Sequence, residues 1–260
     1  MEIEPHSPGT DLSRLREEYE ENGFLLLRGF YTEHEVSDAV CVVWEKLPER
    51  LDDRVTWRNK GTRSELAFAD RPEEWRLIGS ENLAKLVTQL RGWDRSYWGK
   101  TTGLLLISFR EKADWTGLHL DHYGHGDKIL NGEEMTFGMI YLTDVEPESA
   151  RTKVCPGSHK IVREHLVSRP DDPRNFVLYD DIEFFDFADP VPVHARAGDV
   201  LLFDQLLAHS GGGHRQDEPR LVFRLSLHNG VGELSSDAVR LPAQVTSFLT
   251  PDQRRLADFE

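Results

Sequence analysis

The residues best placed to do chemistry together are a histidine and a carboxylate separated by one leucine. His119 and Asp121 lie in an apolar stretch, and side chains two positions apart on an extended strand project from the same side. They can occupy two adjacent positions on a metal ion, and a distant histidine can supply a third. Two histidines and one carboxylate on one face of an ion, with the opposite face open, is the arrangement of non-haem Fe(II) oxygenases.

His209 is the candidate for the third ligand. It comes 88 residues after Asp121 (209 − 121) and follows the apolar run Val200–Phe203. Strands this far apart in sequence can be neighbours in an antiparallel double sheet. The chain has 11 histidines, and spacing alone leaves rivals open, namely His122, His125, His159, His194 and His214. His122 is disfavoured, because adjacent strand residues face opposite ways.

Arg220 is a candidate for binding a carboxylate. It lies 11 residues beyond His209 (220 − 209) and opens the apolar run Leu221-Val222-Phe223. A planar guanidinium that points inward from a strand is suited to bidentate capture of a carboxylate. An iron oxygenase that needs a two-electron co-reductant could hold a dicarboxylic keto acid there. The alternative is a surface salt bridge with Asp217 or Glu218.

The N-terminal part of the chain is predicted to be helical, with one strand. Residues 11–22 have a helical apolar stripe that ends at Gly23, and Phe24–Leu27 follows as a buried strand. Thr32 and Glu35 fit a capping box for the next helix. Ser80 is positioned to cap a further helix that ends at Gly92.

The second half of the chain is predicted to be β-structure. Turn residues separate apolar runs at Leu104–Phe109, Leu118–Tyr123, Met135–Leu142, Val191–His194, Val200–Phe203 and Leu221–Leu227. Helices followed by many short strands predict a mainly β fold, a sandwich or jelly roll, with an N-terminal helical cover. We expect one domain over residues 1–260, with the cover at about 10–92, the core at about 100–230 and a C-terminal extension at 231–260.

Two segments are candidates for covering the site. Residues 50–76 are long, aromatic and weakly periodic, which is typical of a lid, a binding loop or a disordered insertion. Their basic stretch from Arg54 to Arg63 would suit a polar or anionic substrate, or it is a solvated face held by carboxylates. Tyr123 and His125, in the Gly-containing loop after Asp121, are candidate substrate contacts; a solvent-facing turn is the alternative.

Composition limits the class of partner. A net charge of −15 argues against nonspecific binding to nucleic acid or to an acidic membrane surface. Two cysteines make no disulfide framework, the first residues lack a signal-peptide pattern, and no apolar run reaches the length of a membrane span. We therefore expect a cytoplasmic protein that acts on a small molecule; the sequence does not indicate its oligomeric state.

The order and spacing of several motifs resemble the phytanoyl-CoA dioxygenase superfamily of Fe(II)/2-oxoglutarate oxygenases. The motifs are the opening Gly23–Phe30, the H-x-D pair, Pro156–Lys160, Gly198–Phe203, His209 and Arg220. The resemblance spans residues from about 12 to 228. It implies a double-stranded β-helix (jelly roll, cupin-like), with iron held by His119, Asp121 and His209. It also implies 2-oxoglutarate as cosubstrate, with its distal carboxylate at Arg220, and O2 as oxidant.

The chain departs from the family pattern at one cosubstrate position. The family often has a hydroxyl two residues after the distal histidine, where this chain has Gly211; Ser210 is one residue early and stays a weaker candidate. Phe137 or Met139 could lie near the cosubstrate. The Pro156–Lys160 segment is interpreted as a turn beside the site.

The expected function is a 2-oxoglutarate-dependent dioxygenase that oxidises a small organic molecule and releases succinate and CO2. Related halogenases have a small residue in place of the carboxylate, so Asp121 favours oxygen transfer. Hydroxylation is the default, with desaturation, epoxidation, ring closure and peroxide formation left open. Specialised-metabolite biosynthesis is the expected setting, by analogy with relatives. The alternatives are a non-catalytic jelly-roll binding protein and a cupin dioxygenase that uses no keto acid.

Overall fold

The structure, a computed structural model, forms four α-helices and ten β-strands within the residues that it describes. The described residues are 3–57, 62–66, 80–94, 96–98, 104–110, 117–121, 134–147, 149–170, 172, 175 and 182–229. The expected C-terminal extension lies outside them. None of the helices in these ranges is long and apolar enough to cross a membrane.

The helices predicted before residue 100 are confirmed. They are α1 (Leu12–Asn22), α2 (Glu33–Lys46) and α3 (Glu81–Arg91). Thr32 and Glu35 form the reciprocal capping box at the start of α2, and Ser80 caps α3 by accepting a hydrogen bond from the backbone N–H of Leu83. These caps satisfy backbone donors that a helix leaves unpaired at its first turn, so the helices begin where the sequence predicts.

A fourth helix, α4 (Ser158–Ser168), was not predicted. The segment Pro156–Lys160 was expected to form only a turn, but it leads directly into this helix. Gly157 takes the N-cap position in a left-handed conformation, with φ of 76°, and makes no side-chain capping bond. The usual sequence signal for a helix start is therefore missing here.

The larger sheet is antiparallel and carries most of the core. Its members are β1 (Phe24–Leu27), β2 (Thr62–Leu66), β3 (Ser96–Trp98), β4 (Leu104–Ser108), β5 (Met135–Tyr141), β8 (Val200–Asp204) and β10 (Arg220–Asn229). The strand order is β1-β8-β5-β10-β4-β2, and β3 also pairs with β10. Residues 50–76 were expected to form a lid or an insertion, yet β2 within them is an edge strand of this sheet.

The smaller sheet lies across from β5 and β8. It contains β6 (Lys153–Val154), β7 (Val191–Pro192) and β9 (His209–Ser210) in the order β7-β6-β9. A shared apolar cluster includes Val154 and Val193 on this side and Met139 and Phe203 from the larger sheet. Two antiparallel sheets that pack face to face, with helices on the outside, agree with the predicted jelly-roll class.

The alternation of side chains on β10 fixes what faces the interior. Leu221, Phe223 and Leu225 pack in the cluster that includes the helices, so the even-numbered positions, Arg220 and Arg224 among them, face the other sheet. A one-residue slip would exchange the two faces. Burial of each large apolar side chain contributes about 1.5–3 kcal/mol, and this apolar packing holds the arginines inside.

Candidate metal and cosubstrate site

His119 and His209 are paired through their backbones. The N–H of His119 donates to the carbonyl of His209 at 2.9 Å, and the N–H of His209 donates to the carbonyl of His119 at 3.0 Å. This isolated antiparallel bridge adds residue 119 to the edge of β9. Directly opposed residues in such a pair place their side chains on the same face, and the two imidazole centroids are 4.4 Å apart. A strand was predicted at Leu118–Tyr123. Within its described part, residues 118–121, His119 is the residue that forms this bridge.

The side chains of His119, Asp121 and His209 converge on one point. One potential ligand atom from each lies within 4.8 Å of the other two. Ligands that share one face of an ion and each sit about 2.1 Å from it lie about 3 Å apart, so side-chain shifts of about 1–2 Å would bring all three within ligand distance. Asp121 and His209 are buried and His119 is partly accessible, which leaves an approach on one side.

Both histidines are oriented by carbonyls two residues upstream. The Nδ1 of His119 lies 3.1 Å from the carbonyl oxygen of Gly117, and the Nδ1 of His209 lies 3.0 Å from that of Leu207. A carbonyl can only accept, so each Nδ1 carries the proton and donates it. Each Nε2 then keeps its lone pair, which is the tautomer that a metal-binding histidine needs.

The charges in the site favour a carboxylate beside neutral imidazoles. Burial alone would raise the pKa of Asp121, but His209 and Arg224 outweigh it and hold that pKa below its usual value. Burial lowers the pKa of His209, and the nearby Asp121 offsets this only in part. At neutral pH the site therefore presents one negative oxygen donor and an uncharged His209, a combination that suits a divalent first-row metal.

Arg220 faces the interior and does not form the surface salt bridge that was its alternative. Asp217 pairs with Arg110, and Glu218 pairs with Arg54. Arg220 is 5% exposed, and its guanidinium lies over the ring of Tyr141, 5.8 Å from the centroid. Arg54, the first residue of the basic stretch, is thus an exposed residue paired with a carboxylate.

Two buried polar atoms near Arg220 lack hydrogen-bond partners within the described part of the chain, namely the Nε of Arg220 and the hydroxyl of Ser108. The hydroxyl of Tyr141 interacts with the side chains of Arg220 and Thr152. Ser108 is directly opposite Arg220 on β4, and Tyr141 is opposite Val222 on β5, so all three side chains share the interior face. Unpaired buried donors are costly, and a carboxylate group of a ligand would satisfy them.

A second buried arginine was missed in the sequence. Arg224 is 6% exposed, and its Nε donates to Oδ2 of Asp121 at 2.9 Å. It lies four residues after Arg220, and strand positions i and i+4 share a face, so the alternation could have indicated it. Tyr141 could have been found in the same way, from its two-residue spacing from Met139.

Phe137 and Met139, the weaker cosubstrate candidates, both face the interior. The ring of Phe137 lies 4.5 Å from the guanidinium carbon of Arg224, and the sulfur of Met139 accepts a hydrogen bond from Thr152 at 3.5 Å. Ser210 follows His209 directly on β9. Strand alternation therefore directs its side chain away from the face that carries His209, which makes it the weakest of these candidates.

The other histidines considered as ligands lie elsewhere or outside the described residues. His159 on α4 bonds the backbone oxygen of Glu20, His194 lies by Arg151, and His214 bonds Ala150 and Glu218. His122, Tyr123 and His125 fall outside the described residues, as do 58–61 and 67–76 of the expected lid.

The chain is similar to known proteins in sequence and in fold. The sequence matches the family model described as phytanoyl-CoA dioxygenase over residues 19–222. No curated protein matches it significantly. The fold is similar to that of SnoN, described as a non-heme alpha ketoglutarate dependent epimerase from nogalamycin biosynthesis, at 19% identity and a TM-score of 0.60, covering 88% of this chain and 93% of that one.

Two further structures give the same picture of the fold. SnoN in complex with Fe3+, alpha ketoglutarate and nogalamycin RO has a TM-score of 0.60 and 19% identity, covering 89% of this chain and 94% of that one. SnoK, described as a non-heme alpha ketoglutarate dependent carbocyclase from nogalamycin biosynthesis, has a TM-score of 0.55 and 17% identity, covering 87% of each chain. At these identities the likeness establishes a shared architecture.

Proposed function

We propose, from the premise that this chain belongs to the phytanoyl-CoA dioxygenase family, that it oxidises a small organic molecule at an iron centre. The cofactors of the family are Fe(II), 2-oxoglutarate as cosubstrate, and O2. The observation that carries the proposal is the convergence of His119, Asp121 and His209, with one ligand atom from each within 4.8 Å of the others.

In this proposal the two sheets form a double-stranded β-helix whose interior holds both cofactors. His119, Asp121 and His209 bind the iron, and their donor set fits it: two imidazoles whose Nε2 atoms keep lone pairs and one ionised carboxylate. Arg220 binds the distal carboxylate of 2-oxoglutarate, assisted by the hydroxyls of Tyr141 and Ser108. The unpaired buried atoms of Arg220 and Ser108, and the contact between Arg220 and Tyr141, support that assignment.

The chemistry supplied by bound Fe(II) and 2-oxoglutarate is the activation of O2 for oxidation of a C–H bond. The balance for hydroxylation is one 2-oxoglutarate, one O2 and one substrate, which give succinate, CO2 and an alcohol. The chain's own residues orient the reactants and keep water out, because the site walls are buried. Asp121 fills the ligand position that related halogenases leave to chloride, so hydroxylation is the default outcome.

Analysis of the product identifies which reaction the substrate undergoes. The fold neighbours SnoN and SnoK are described as an epimerase and a carbocyclase that depend on the same keto acid. Hydroxylation adds one oxygen to the substrate, epimerisation leaves its mass unchanged, and ring closure removes two hydrogens. Mass spectrometry after reaction under labelled O2 distinguishes these outcomes. We propose specialised-metabolite biosynthesis as the setting.

The test is substrate-dependent release of succinate from 2-oxoglutarate by the iron-loaded protein, across a panel of small polar and anionic molecules. We expect release that requires Fe(II) and O2 and is lost in His209→Ala. If the metal-loaded protein binds no 2-oxoglutarate, a cupin dioxygenase without a keto acid is the correct reading. Binding of both without turnover on any substrate would instead favour a non-catalytic binding protein.

A further inference from the structure

Arg224 is a buried cation that contacts Asp121, a proposed metal ligand, and has a further hydrogen-bond donor without a partner among the described residues. Its side chain is 7% exposed, and that of Asp121 is 9% exposed. The Nε–H donates to Oδ2 of Asp121 at 2.9 Å. The same carboxylate oxygen lies 3.5 Å from Nε2 of His209. Arg224 therefore borders the point where the three ligand atoms converge.

The guanidinium of Arg224 is held in place by an aromatic wall. Its central carbon lies 4.5 Å from the ring centroid of Phe137, a favourable cation–π distance. Phe137 stacks on Phe203 at 5.7 Å, and Phe203 lies 5.1 Å from the imidazole of His209. Arg224 and His209 thus lie against opposite members of one stacked pair of rings, Arg224 against Phe137 and His209 against Phe203.

One donor group of this guanidinium is unused. The Nη2 of Arg224 is buried without a hydrogen-bond partner among the described residues. An unpaired buried donor on a charged group is more costly than a neutral one. Because Nε is already committed to Asp121, Nη2 can serve an acceptor that arrives with the metal.

The two interior arginines of β10 are spaced for different ends of a dicarboxylate. Arg220 and Arg224 share one face of the strand, separated by about 13 Å along it. Arg220 is grouped with Tyr141 and Ser108, whereas Arg224 is grouped with Asp121. A keto acid that extends from the metal toward Arg220 would place its metal-bound carboxylate on the side of Arg224.

We propose that Arg224 positions Asp121 as a metal ligand through Nε and binds, through Nη2, the carboxylate that the keto acid places on the metal. This inference rests on the proposed function and adds a residue to it. Arg224 would couple metal binding to cosubstrate binding, because its guanidinium would contact both Asp121 and the carboxylate of the keto acid. Arg220 would bind only the distal carboxylate of the keto acid.

The test compares Arg224→Gln with Arg220→Gln, a matched loss of a buried arginine from the same face of the same strand. Each Mn(II)- or Co(II)-loaded protein is titrated by calorimetry with 2-oxoglutarate and with oxalate, which chelates a metal but has no distal carboxylate group. We expect Arg220→Gln to weaken 2-oxoglutarate binding at least tenfold and to leave metal and oxalate affinities within twofold.

Arg224→Gln should behave differently in each measurement. We expect metal affinity to fall about tenfold or more, and at saturating metal both 2-oxoglutarate and oxalate should bind at least fivefold more weakly. The visible absorption spectrum of the Co(II) protein should also change without keto acid, because the geometry of Asp121 changes. A merely structural role would leave that spectrum unaltered in a folded variant.

Wild-type-like metal affinity, Co(II) spectrum and oxalate affinity in folded Arg224→Gln would overturn the inference while the proposed function stands. If the wild-type protein itself bound no metal or no 2-oxoglutarate, the proposed function would fail first. Should Arg224→Gln not fold, Arg224→Lys carries the test, because it keeps the charge but not the fork. Intermediate affinities are expected from it, and wild-type affinities for metal and oxalate would again overturn the inference.

Discussion

At the scale of single residues, the first prediction follows from the separate roles proposed for Arg220, which binds the cosubstrate, and for the three candidate ligands, which bind the metal. Arg220→Ala should weaken 2-oxoglutarate binding about tenfold to a hundredfold, since charge-assisted hydrogen bonds contribute about 1.5–3 kcal/mol. Iron binding should change little, because Arg220 is grouped with Tyr141 and Ser108 and not with the triad. Arg220→Lys should rescue only partly, since it loses the planar fork. Unchanged 2-oxoglutarate affinity in Arg220→Ala would refute the assignment.

The two cysteines should differ sharply in reactivity. Burial raises the pKa of the Cys155 thiol to about 11, so at pH 8 about one molecule in a thousand carries the thiolate that reacts. Cys41 is exposed. A disulfide-exchange reagent should therefore titrate one thiol in the native protein and both in denaturant.

The variant Cys41→Ser provides the control for this titration. It should show no fast-reacting thiol when folded. Fast reaction of Cys155 in that variant would mean that the packing around β6 opens far more readily than its burial indicates.

The sequence predicted the candidate metal-binding residues better than their surroundings. Residue type and spacing made His119, Asp121 and His209 candidates, the family resemblance implied them as iron ligands, and the structure brings their ligand atoms together. Strand alternation places Arg224 on the same face as Arg220, but it does not indicate which side chain Arg224 contacts. That partner, Asp121, lies 103 residues away in sequence, and no local pattern records the contact.

At the scale of elements, the turn before β8 depends on a glycine that allows two backbones to approach. Gly198 has φ of 89°, and a Cβ at this position would lie 2.4 Å from the carbonyl oxygen of Tyr31. The backbone of Tyr31 also donates to the carbonyl of Gly198 at 2.9 Å. Gly29 has φ of 58° but open space around it, so it makes a matched comparison.

Gly198→Ala should destabilise the protein more than Gly29→Ala. Both substitutions incur the strain of a left-handed residue, about 1–2 kcal/mol, but only Gly198→Ala also forces a backbone shift, which adds about 1–3 kcal/mol. Urea unfolding of the apo proteins measures the difference. Equal losses would show that the contact between Tyr31 and Gly198 is easily relaxed.

Which elements could be predicted depended on length and capping. The helices α2 and α3 have side-chain caps and were predicted, whereas α4 begins at a glycine without a side-chain cap and was taken for a turn. The strands β6 and β9 have two residues each, too few to show an alternating pattern. The polar edge strand β2 has no apolar face in its sequence, Thr-Arg-Ser-Glu-Leu.

At the scale of the whole molecule, metal should stabilise the fold by mass action. A ligand that binds only the folded state at a hundred times its Kd contributes about 2.7 kcal/mol, which corresponds to a rise in Tm of roughly 5–10 °C for a chain of this size. 2-Oxoglutarate should raise Tm further only when metal is present, because part of its binding site is the metal. Thermal melts with Mn(II), with and without 2-oxoglutarate, measure both effects.

The variant His209→Ala separates specific from nonspecific stabilisation in these melts. It removes one of the three proposed ligands, so Mn(II) should no longer raise its Tm appreciably. A metal-induced rise equal to that of the wild type would place the stabilising ion at another site.

The backbone pair between His119 and His209 also has a kinetic consequence. It joins segments 90 residues apart (209 − 119), so a metal bound by both imidazoles acts as a reversible cross-link that closes one long loop. Of the three proposed ligands, only His119 and Asp121 are close together in the unfolded chain, and His209 joins them after the two sheets have come together. The entropy of closing the loop is therefore lost during folding itself, before the metal binds tightly. Metal should slow unfolding and leave the refolding rate nearly unchanged, so the loaded protein would be long-lived rather than fast-folding.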